Sequence, residues 1–472
     1  MPGAGNSGIF KSAALAAVVA LGGIAPQQLQ AENMADALVG AYNTSGLLEQ
    51  NRAVLRAADE DVALAVAALR PVIAWSTSIL RDWTDSNVGG FSTSRQSSNF
   101  FSSVTFELLI YDGGAGQLGS QAAKETVLAT RQTLVAIEQQ ILLRAVAAYM
   151  NVLLAGENVI LRQNNVRVLS EELRAAQDRF EVGEVTRTDV ALAESRQAAA
   201  RSSLASARGE VVRAKAEYTN AVGHKPGTLA GQPKLPQRAA SIASAEALAV
   251  RNHPSVLSAQ HQVSAAELTV QRTTKTLGPS ASVRADIGMT ETWGSLNHNY
   301  DGGVSLTFRQ PLYQGGALAA GLRRSMAARD SSRANLLNVQ RDVIQGVNNA
   351  FVRLEVARAS LVATEERVRA AQVAFDGIRE EATLGARTTL DVLTAEQELL
   401  NAQTSRISDL AERSIASYEL LATQGLLTAE RLGLAVQIYD PTIYYNLVKT
   451  APANLSRQSR DLNRIFEAMG KR

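Results

Sequence analysis

The sequence predicts a mixed α/β membrane protein in which each chain is an internal tandem repeat. Three observations support this prediction. Landmark residues recur 202 positions later in the chain. Two proline-free intervals, from Gly114 to Gly183 and from Gly316 to Gly385, have equal length and predict very long helices. Short segments between the helical stretches alternate apolar and polar residues, as strands with two different faces do.

The composition excludes several classes of function. The chain has 472 residues, 47 Lys+Arg against 45 Asp+Glu, and no cysteine. This charge balance argues against nucleic-acid binding through a basic face. The lack of cysteine excludes disulfides, thiolate metal sites and a lipid anchor on an N-terminal cysteine. The four histidines are scattered and no catalytic motif is present, so we expect no enzyme activity, no cofactor and no metal.

Residues 1–31 are predicted to be a signal peptide. Lys11 precedes an apolar run from Ala13 to Ala25, which is too short to span a bilayer, and Ala31 ends a plausible cleavage site. The alternative is a buried helix. No later segment is apolar enough for a membrane helix, so any membrane crossing must use β-strands.

The elements of the two repeats follow in the same order: helix, strand, strand, long helix, short helix. The first repeat covers 32–222, with strands at about 71–84 and 100–111 and flanking helices at about 37–70 and 187–222. The second repeat covers 241–436, with strands at about 280–292 and 302–313 and flanking helices at about 245–278 and 388–432. A linker rich in proline and glycine, 223–240, is expected at mid-height in an equatorial region. Residues 437–472 are expected to be an equatorial or flexible tail.

The strand segments fit a membrane better than a soluble sheet. Val304, Leu306 and Phe308 alternate with Ser305 and Thr307. Runs of about ten residues with this pattern suit tilted transmembrane strands, although a soluble hairpin with one wet face is the alternative. Four strands are too few to close a membrane barrel, and an open sheet edge is not viable in lipid. The sequence therefore predicts that several chains share one barrel.

Glycines and capping residues mark the turns. The pairs Gly113-Gly114 and Gly315-Gly316 lie between strand and long helix, and Gly183 and Gly385 end the long helices. A literal GxGxxG begins at Gly114, but the following helix is too long for a dinucleotide-binding unit, so we interpret it as a tight turn.

Each helix that follows a tip glycine begins with a capping box. The two are Thr186-x-x-Asp189 and Thr388-x-x-Asp391.

This layout resembles the TolC family of outer-membrane efflux and secretion channels. The residues that carry the resemblance are Phe180-Glu-Val-Gly183 with Thr186-Arg-Thr-Asp-Val190, Leu384-Gly-Ala-Arg-Thr388 with Asp391-Val-Leu393, and the turns Tyr111-Asp-Gly-Gly114 and Tyr313-Gln-Gly-Gly316. The resemblance implies a homotrimer with a 12-stranded β-barrel in the outer membrane of a Gram-negative bacterium and a 12-helix α-barrel in the periplasm. It also implies a periplasmic adaptor (membrane fusion) protein and an inner-membrane transporter, driven by ATP or protons, as partners.

The resemblance also assigns roles at the periplasmic end. Asp391 matches a residue that lines the entrance, and Thr394 stands where the family has a second aspartate of the same ring. Arg387 and Asp189 match residues that close the entrance, Ala382 replaces an expected aromatic residue, and Arg187 is an additional candidate. With fewer links, we expect the closed state to be less stable relative to the open state.

The function expected from these features is passive conduction of cargo out of the cell. The alternative is a periplasmic coiled-coil adaptor or scaffold, which would have helical hairpins but would not need the four strands. A secreted enzyme is disfavoured because the sequence shows no convergent polar site. The cargo, secreted protein or drug, stays open.

Overall fold

The computed structural model describes residues 31–237, 239–294, 298–454 and 456–470. The predicted signal peptide lies outside these residues except for Ala31. No helix in the described ranges combines the length and apolarity needed to cross a membrane. The elements are α1 (Met34–Thr44), α2 (Gly46–Ala67), β1 (Val72–Val88), β2 (Phe91–Tyr111), α3 (Ala115–Glu181), α4 (Arg187–Val222), α5 (Ile242–Asn252), α6 (Pro254–Lys275), β3 (Ser280–Thr292), β4 (His298–Arg309), α7 (Ala317–Thr383), α8 (Thr389–Thr423), α9 (Pro441–Val448) and α10 (Arg457–Gly470).

The two long helices organise the chain. α3 and α7 each contain 67 residues, which corresponds to about 100 Å at 1.5 Å per residue. α3 packs against α2, α4, α6 and α8, and α7 packs against α5, α6 and α8. α3/α4 and α7/α8 are therefore two antiparallel hairpins, one from each repeat.

The helices that lead into the strands are each broken, where the sequence predicted single helices over 37–70 and 245–278. The first break is at Ser45, whose extended backbone ends α1 while its side chain caps α2. The second is at His253, which precedes Pro254 and is extended at φ −67°, ψ 124°. A residue before proline avoids the helical region, which explains this second break.

The C-terminal ends of α4 and α8 contact these breaks, α4 at the α1/α2 break and α8 at the α5/α6 break. Thr44 donates a hydrogen bond from Oγ1 to the carbonyl of Val222 at 2.9 Å, where α4 ends. α8 ends at Thr423 rather than near 432. Just beyond it, a Cβ on Gly425 would lie 2.6 Å from the carbonyl oxygen of Asn252, the last residue of α5. Both repeats thus join two shorter helices beside one long helix.

The linker between the repeats crosses α3 near its middle. The hydroxyl of Tyr149 lies between the carbonyl oxygens of Glu32 (3.2 Å) and Gly231 (3.1 Å) and shares its one hydrogen between them. Glu32 also forms a parallel bridge with Leu229. These contacts lie about half-way along α3, where the sequence predicted an equatorial region.

The four strands form one antiparallel sheet in the order β1-β2-β3-β4. β1 and β2 are longer than predicted, and β4 begins and ends four residues earlier. The register aligns Ile73, Phe106, Ala285 and Val304 in one row across all four strands. Their neighbours on the other face form a row of Val72, Glu107, Arg284 and Ser305.

The two faces of the sheet therefore differ as the alternation predicts. One face is apolar and exposed in the single chain, with Trp75 at 73% and Val304 at 80% exposure. The strands β1 and β4 are edges, each paired with one neighbour only.

The C-terminal segment, for which the sequence suggests an equatorial or flexible tail, contains the helices α9 and α10 where the structure describes it. Tyr444 on α9 donates a hydrogen bond to Glu60 on α2 at 2.5 Å. Leu462 on α10 packs with Ala63, Tyr444 and Val448 in a small apolar cluster. The segment returns to α2 because it carries the apolar and aromatic residues that cover that helix.

Candidate functional site

The two hairpins end in matching turns, which we call the tip turns. Each is centred on a glycine in the left-handed region, Gly183 at φ +81° and Gly385 at φ +78°. The amide after each glycine returns to the long helix, from Glu184 to the carbonyl of Arg179 and from Ala386 to that of Glu381, both at 2.9 Å. Glycine adopts this conformation without the steric cost of a Cβ, so it ends each helix sharply.

The helix after each tip turn begins with a capping box. The amide of Asp189 donates to Thr186 Oγ1 at 3.3 Å, and the amide of Thr186 donates to Asp189 Oδ2 at 2.9 Å. Asp391 and Thr388 make the same pair of bonds at 3.2 and 3.0 Å. The structure confirms both capping boxes, and they fix the two carboxylates beside the turns.

Both aspartates are held in the charged form. Hydrogen bonds from the Thr186 hydroxyl and amide lower the pKa of Asp189. The amide and hydroxyl of Thr388 lower the pKa of Asp391, and the charge of Arg387 lowers it further. Each carboxylate lies in the first turn of its helix, where the helix dipole also favours negative charge.

The arginine that is predicted to close the entrance has a partner within its own turn. Arg387 Nε donates to Glu381 Oε2 at 2.7 Å, and this bond raises the pKa of Arg387. Within the described part of this single chain, Arg387 forms its ion pair with Glu381 and not with Asp189. Arg187 is exposed at the first position of α4.

The positions where the sequence departs from the family differ in exposure. Thr394 is exposed on α8, and its hydroxyl donates to the carbonyl of Leu390 at 2.8 Å. Ala382 is buried at 5% exposure against Phe375, Val392 and Leu399. Ala382 therefore belongs to the apolar packing of the α7/α8 hairpin.

Sequence reasoning misses two polar contacts between the hairpins. Arg379 on α7 pairs with Glu172 on α3 at 3.1 Å, and Asn165 on α3 donates to Glu396 on α8. The side chain of Glu172 is only 14% exposed, so this ion pair is partly shielded from solvent. No spacing within one helix could have identified these contacts, since each joins separate hairpins.

The glycines at the strand-to-helix turns have a structural role. Gly113 and Gly114 have φ values of +66° and +89°, and Gly315 and Gly316 have +57° and +86°. In the first turn, Asp112 accepts hydrogen bonds from the amides of Gly114 (2.8 Å) and Gly116 (2.6 Å). Both oxygens of the Asp112 carboxylate therefore cap the start of α3.

Metal-binding groups do not converge in the part of the chain that the structure describes. Those residues hold no cluster of three or more His, Asp or Glu side chains that could bind a metal ion.

The chain is similar to known proteins over most of its length. A family model described as outer membrane efflux protein matches residues 41–224 and 246–426. The outer membrane efflux protein BepC of Brucella suis biovar 1 is 34% identical over 439 residues, which cover 92% of this chain and 95% of that protein. The proteases secretion protein PrtF of Dickeya chrysanthemi is 36% identical over 129 residues, which cover 27% of this chain and 28% of that protein.

Solved channel structures share the fold. The Campylobacter jejuni CmeC outer membrane channel has a TM-score of 0.73 at 15% identity, and covers 89% of this chain and 90% of its own. The open state of the Neisseria gonorrhoeae MtrE outer membrane channel has a TM-score of 0.70 at 17% identity. The match covers 85% of this chain and 91% of the MtrE chain. The duplicated hairpins, the tip turns and the matches over both repeats lead to one conclusion: this chain belongs to the outer membrane efflux protein family.

Proposed function

We propose that the chain is one third of an exit duct in the Gram-negative outer membrane, which passively conducts cargo delivered by an inner-membrane transporter. The observation that carries this proposal is the four-stranded sheet, which has one exposed apolar face and continues directly into helices about 100 Å long. Such a sheet is suited to lipid on its apolar face, and the helices are long enough to reach deep into the periplasm.

The trimer follows from the two free edges of the sheet. β1 and β4 are the edge strands of the single chain, and backbone groups at an open edge cannot remain unpaired in lipid. If β4 of one chain pairs with β1 of the next, three chains give a closed barrel of 12 strands. The two hairpins and the shorter helices would then surround a common tube below it.

The tip turns are proposed as the periplasmic entrance. In a trimer, three copies of Asp391 and three of Asp189 would approach the axis, and a ring of carboxylates attracts cations. Thr394 supplies a hydroxyl where a second aspartate is expected, so the ring should carry less charge. Arg387 and Arg187 are proposed as links that hold the entrance closed, with Arg387 exchanging its Glu381 partner for a neighbouring turn.

Both kinds of cargo have support among the relatives. BepC is named for efflux and PrtF for the secretion of proteases, so drugs and secreted proteins are both candidates. A periplasmic adaptor and an inner-membrane transporter are proposed as partners. A strain that lacks the gene, assayed in parallel for drug susceptibility and for secreted protein, would assign the cargo.

The alternative of a periplasmic adaptor or scaffold is less well supported. It would have no use for Trp75, Trp83 and Phe308, which are 73%, 71% and 68% exposed on the strands. An exposed apolar face of this size in a soluble protein would promote aggregation.

Ion selectivity of the purified protein in planar bilayers tests the proposal. Asp391→Asn should reduce the preference for cations, because three carboxylates leave a narrow passage. Asp376→Asn, an exposed carboxylate within α7, is the matched control and should keep wild-type selectivity. A protein that forms no conducting pores would contradict the duct, and unchanged selectivity in Asp391→Asn would remove this residue from the passage.

A further inference from the structure

The two hairpins of one chain are held together along a seam between α3 and α8. Leu169 on α3 and Leu393 on α8 are 5% and 2% exposed and pack together with Ala200 of α4. Val168 on α3 packs against a second cluster that contains Val392. The seam therefore starts close to the tip turns and joins the first repeat to the second through apolar contacts.

A buried polar pair interrupts this apolar seam. Asn165 Nδ2 donates a hydrogen bond to Glu396 Oε1, and the two residues are only 5% and 7% exposed. Glu396 follows Asp391 by five residues on α8, which places it about 7.5 Å along the helix from the proposed entrance ring. The pair is thus close to the entrance but is not one of its lining residues.

The Glu396 carboxyl is buried by the contact between α3 and α8, so its stability depends on that contact. Burial raises the pKa of Glu396, and the Asn165 bond together with the charges of Arg162 and Arg196 opposes this effect, while Glu172 adds to it. A buried carboxylate is costly unless it is hydrogen-bonded, and removal of its partner leaves that cost uncompensated. If α8 moved away from α3, water would reach Glu396 and replace Asn165.

Within the described part of this single chain, no equivalent buried pair involves the first repeat's counterpart of Glu396. Glu194 is the residue 202 positions before Glu396 and occupies the corresponding place after the first tip turn, but it is exposed. The position equivalent to Asn165 in the second repeat is Arg367, which pairs with Glu398 at 3.1 Å. The buried pair is therefore a feature of the contact between hairpins and not of the repeated hairpin itself.

We propose that Asn165 and Glu396 form a latch that holds the α7/α8 hairpin against α3 and must separate before the entrance opens. This inference rests on the proposed function, since it assumes that the tip turns are the entrance of a conducting channel. Glu396 acts as a positioning residue: it sets where α8, and with it Asp391, lies relative to the first hairpin.

Single-channel recordings of alanine variants test the latch. Glu396→Ala and Asn165→Ala should each raise the ratio of open to closed time by roughly tenfold, since each leaves a buried polar group without its partner in the closed state. The double variant should show less than the product of the two effects, because the residues act on one contact. Glu396→Gln, which can still accept the bond, should remain close to wild type.

The matched control is Glu398→Ala on the same helix, which removes the exposed ion pair with Arg367 within the α7/α8 hairpin and should leave gating unchanged. Variants that melt earlier but keep the wild-type ratio of open to closed time would overturn the latch and leave a purely structural pair. A double variant whose open-to-closed ratio changes by the full product of the two single effects would also overturn the latch.

Cross-linking keeps the proposal testable if the alanine variants fold poorly. The chain has no cysteine, so Asn165→Cys with Glu396→Cys gives a unique thiol pair. A short bis-methanethiosulfonate reagent, which forms a disulfide with each cysteine by displacing methanesulfinate, should lock the channel closed, and reduction of the disulfides should restore conductance. Unchanged conductance after complete cross-linking would overturn the latch, whereas the absence of any conductance in the wild type would instead contradict the proposed function.

Discussion

At the scale of single residues, the environment decides what the same residue type does. Asp189 and Asp391 are partly exposed carboxylates held by capping bonds, which lower their pKa values. Asp59, on α2, is fully buried, and neither of its carboxylate oxygens has a hydrogen-bond partner among the described residues. Burial raises the pKa of Asp59 to about 6, although the charge of Arg131 opposes the shift.

Asp59 predicts a pH dependence of stability. A carboxyl whose pKa is raised in the folded state stabilises the fold most below its unfolded value, and this contribution is lost as the pH rises through about 6. Asp59→Asn should therefore flatten the fall in melting temperature between about pH 4 and pH 7. The control is Asp61→Asn, at an exposed position on the same helix. An unaltered pH profile in Asp59→Asn would show that Asp59 does not titrate in this range.

Ala382 gives a second prediction at this scale. The family resemblance suggests that a tyrosine here would add a link at the entrance, but the side chain is buried within the α7/α8 hairpin. Ala382→Tyr should overpack this cluster and destabilise the protein by about 1–3 kcal/mol. Thr383→Tyr, at the exposed neighbouring position, should have little effect on thermal unfolding. Closure of the channel by Ala382→Tyr without loss of stability would instead support a link at the entrance.

At the scale of the elements, sequence periodicity predicted the parts that depend on local rules. The equal intervals between glycines predicted two long helices, and the capping residues predicted where α4 and α8 begin. The breaks at Ser45 and His253 were missed because apolar spacing continues across them. The Asn165–Glu396 and Arg379–Glu172 contacts were missed because their partners lie on different hairpins.

The tip turns give a prediction for an element. Gly183 and Gly385 have positive φ values, and a Cβ at either position would meet no atom within 4 Å, so the cost of an alanine there is only the backbone strain. Gly385→Ala should destabilise by about 1 kcal/mol. Gly377→Ala, inside α7 with equally open surroundings, should instead be neutral or stabilising by a similar amount. Thermal unfolding of both variants measures the difference, and equal melting temperatures would mean that the turn does not need glycine.

At the scale of the whole molecule, the single chain has surfaces that only an assembly can satisfy. Its sheet has two edge strands and an exposed apolar face, while its helices are already paired within the chain. The repeat explains why one chain supplies two hairpins of the same length. The assembly explains why residues as apolar as Trp75 and Val304 remain exposed.

The mass of the purified protein in detergent tests the central claim most directly. If three chains complete one barrel, light scattering corrected for bound detergent should give three times the mass of the mature chain, with the full-length chain at 50.3 kDa. Urea or heat should dissociate this species and unfold the sheet together, since the free edges of β1 and β4 are paired only across chains in the proposed barrel. A monodisperse, folded single chain would contradict the account.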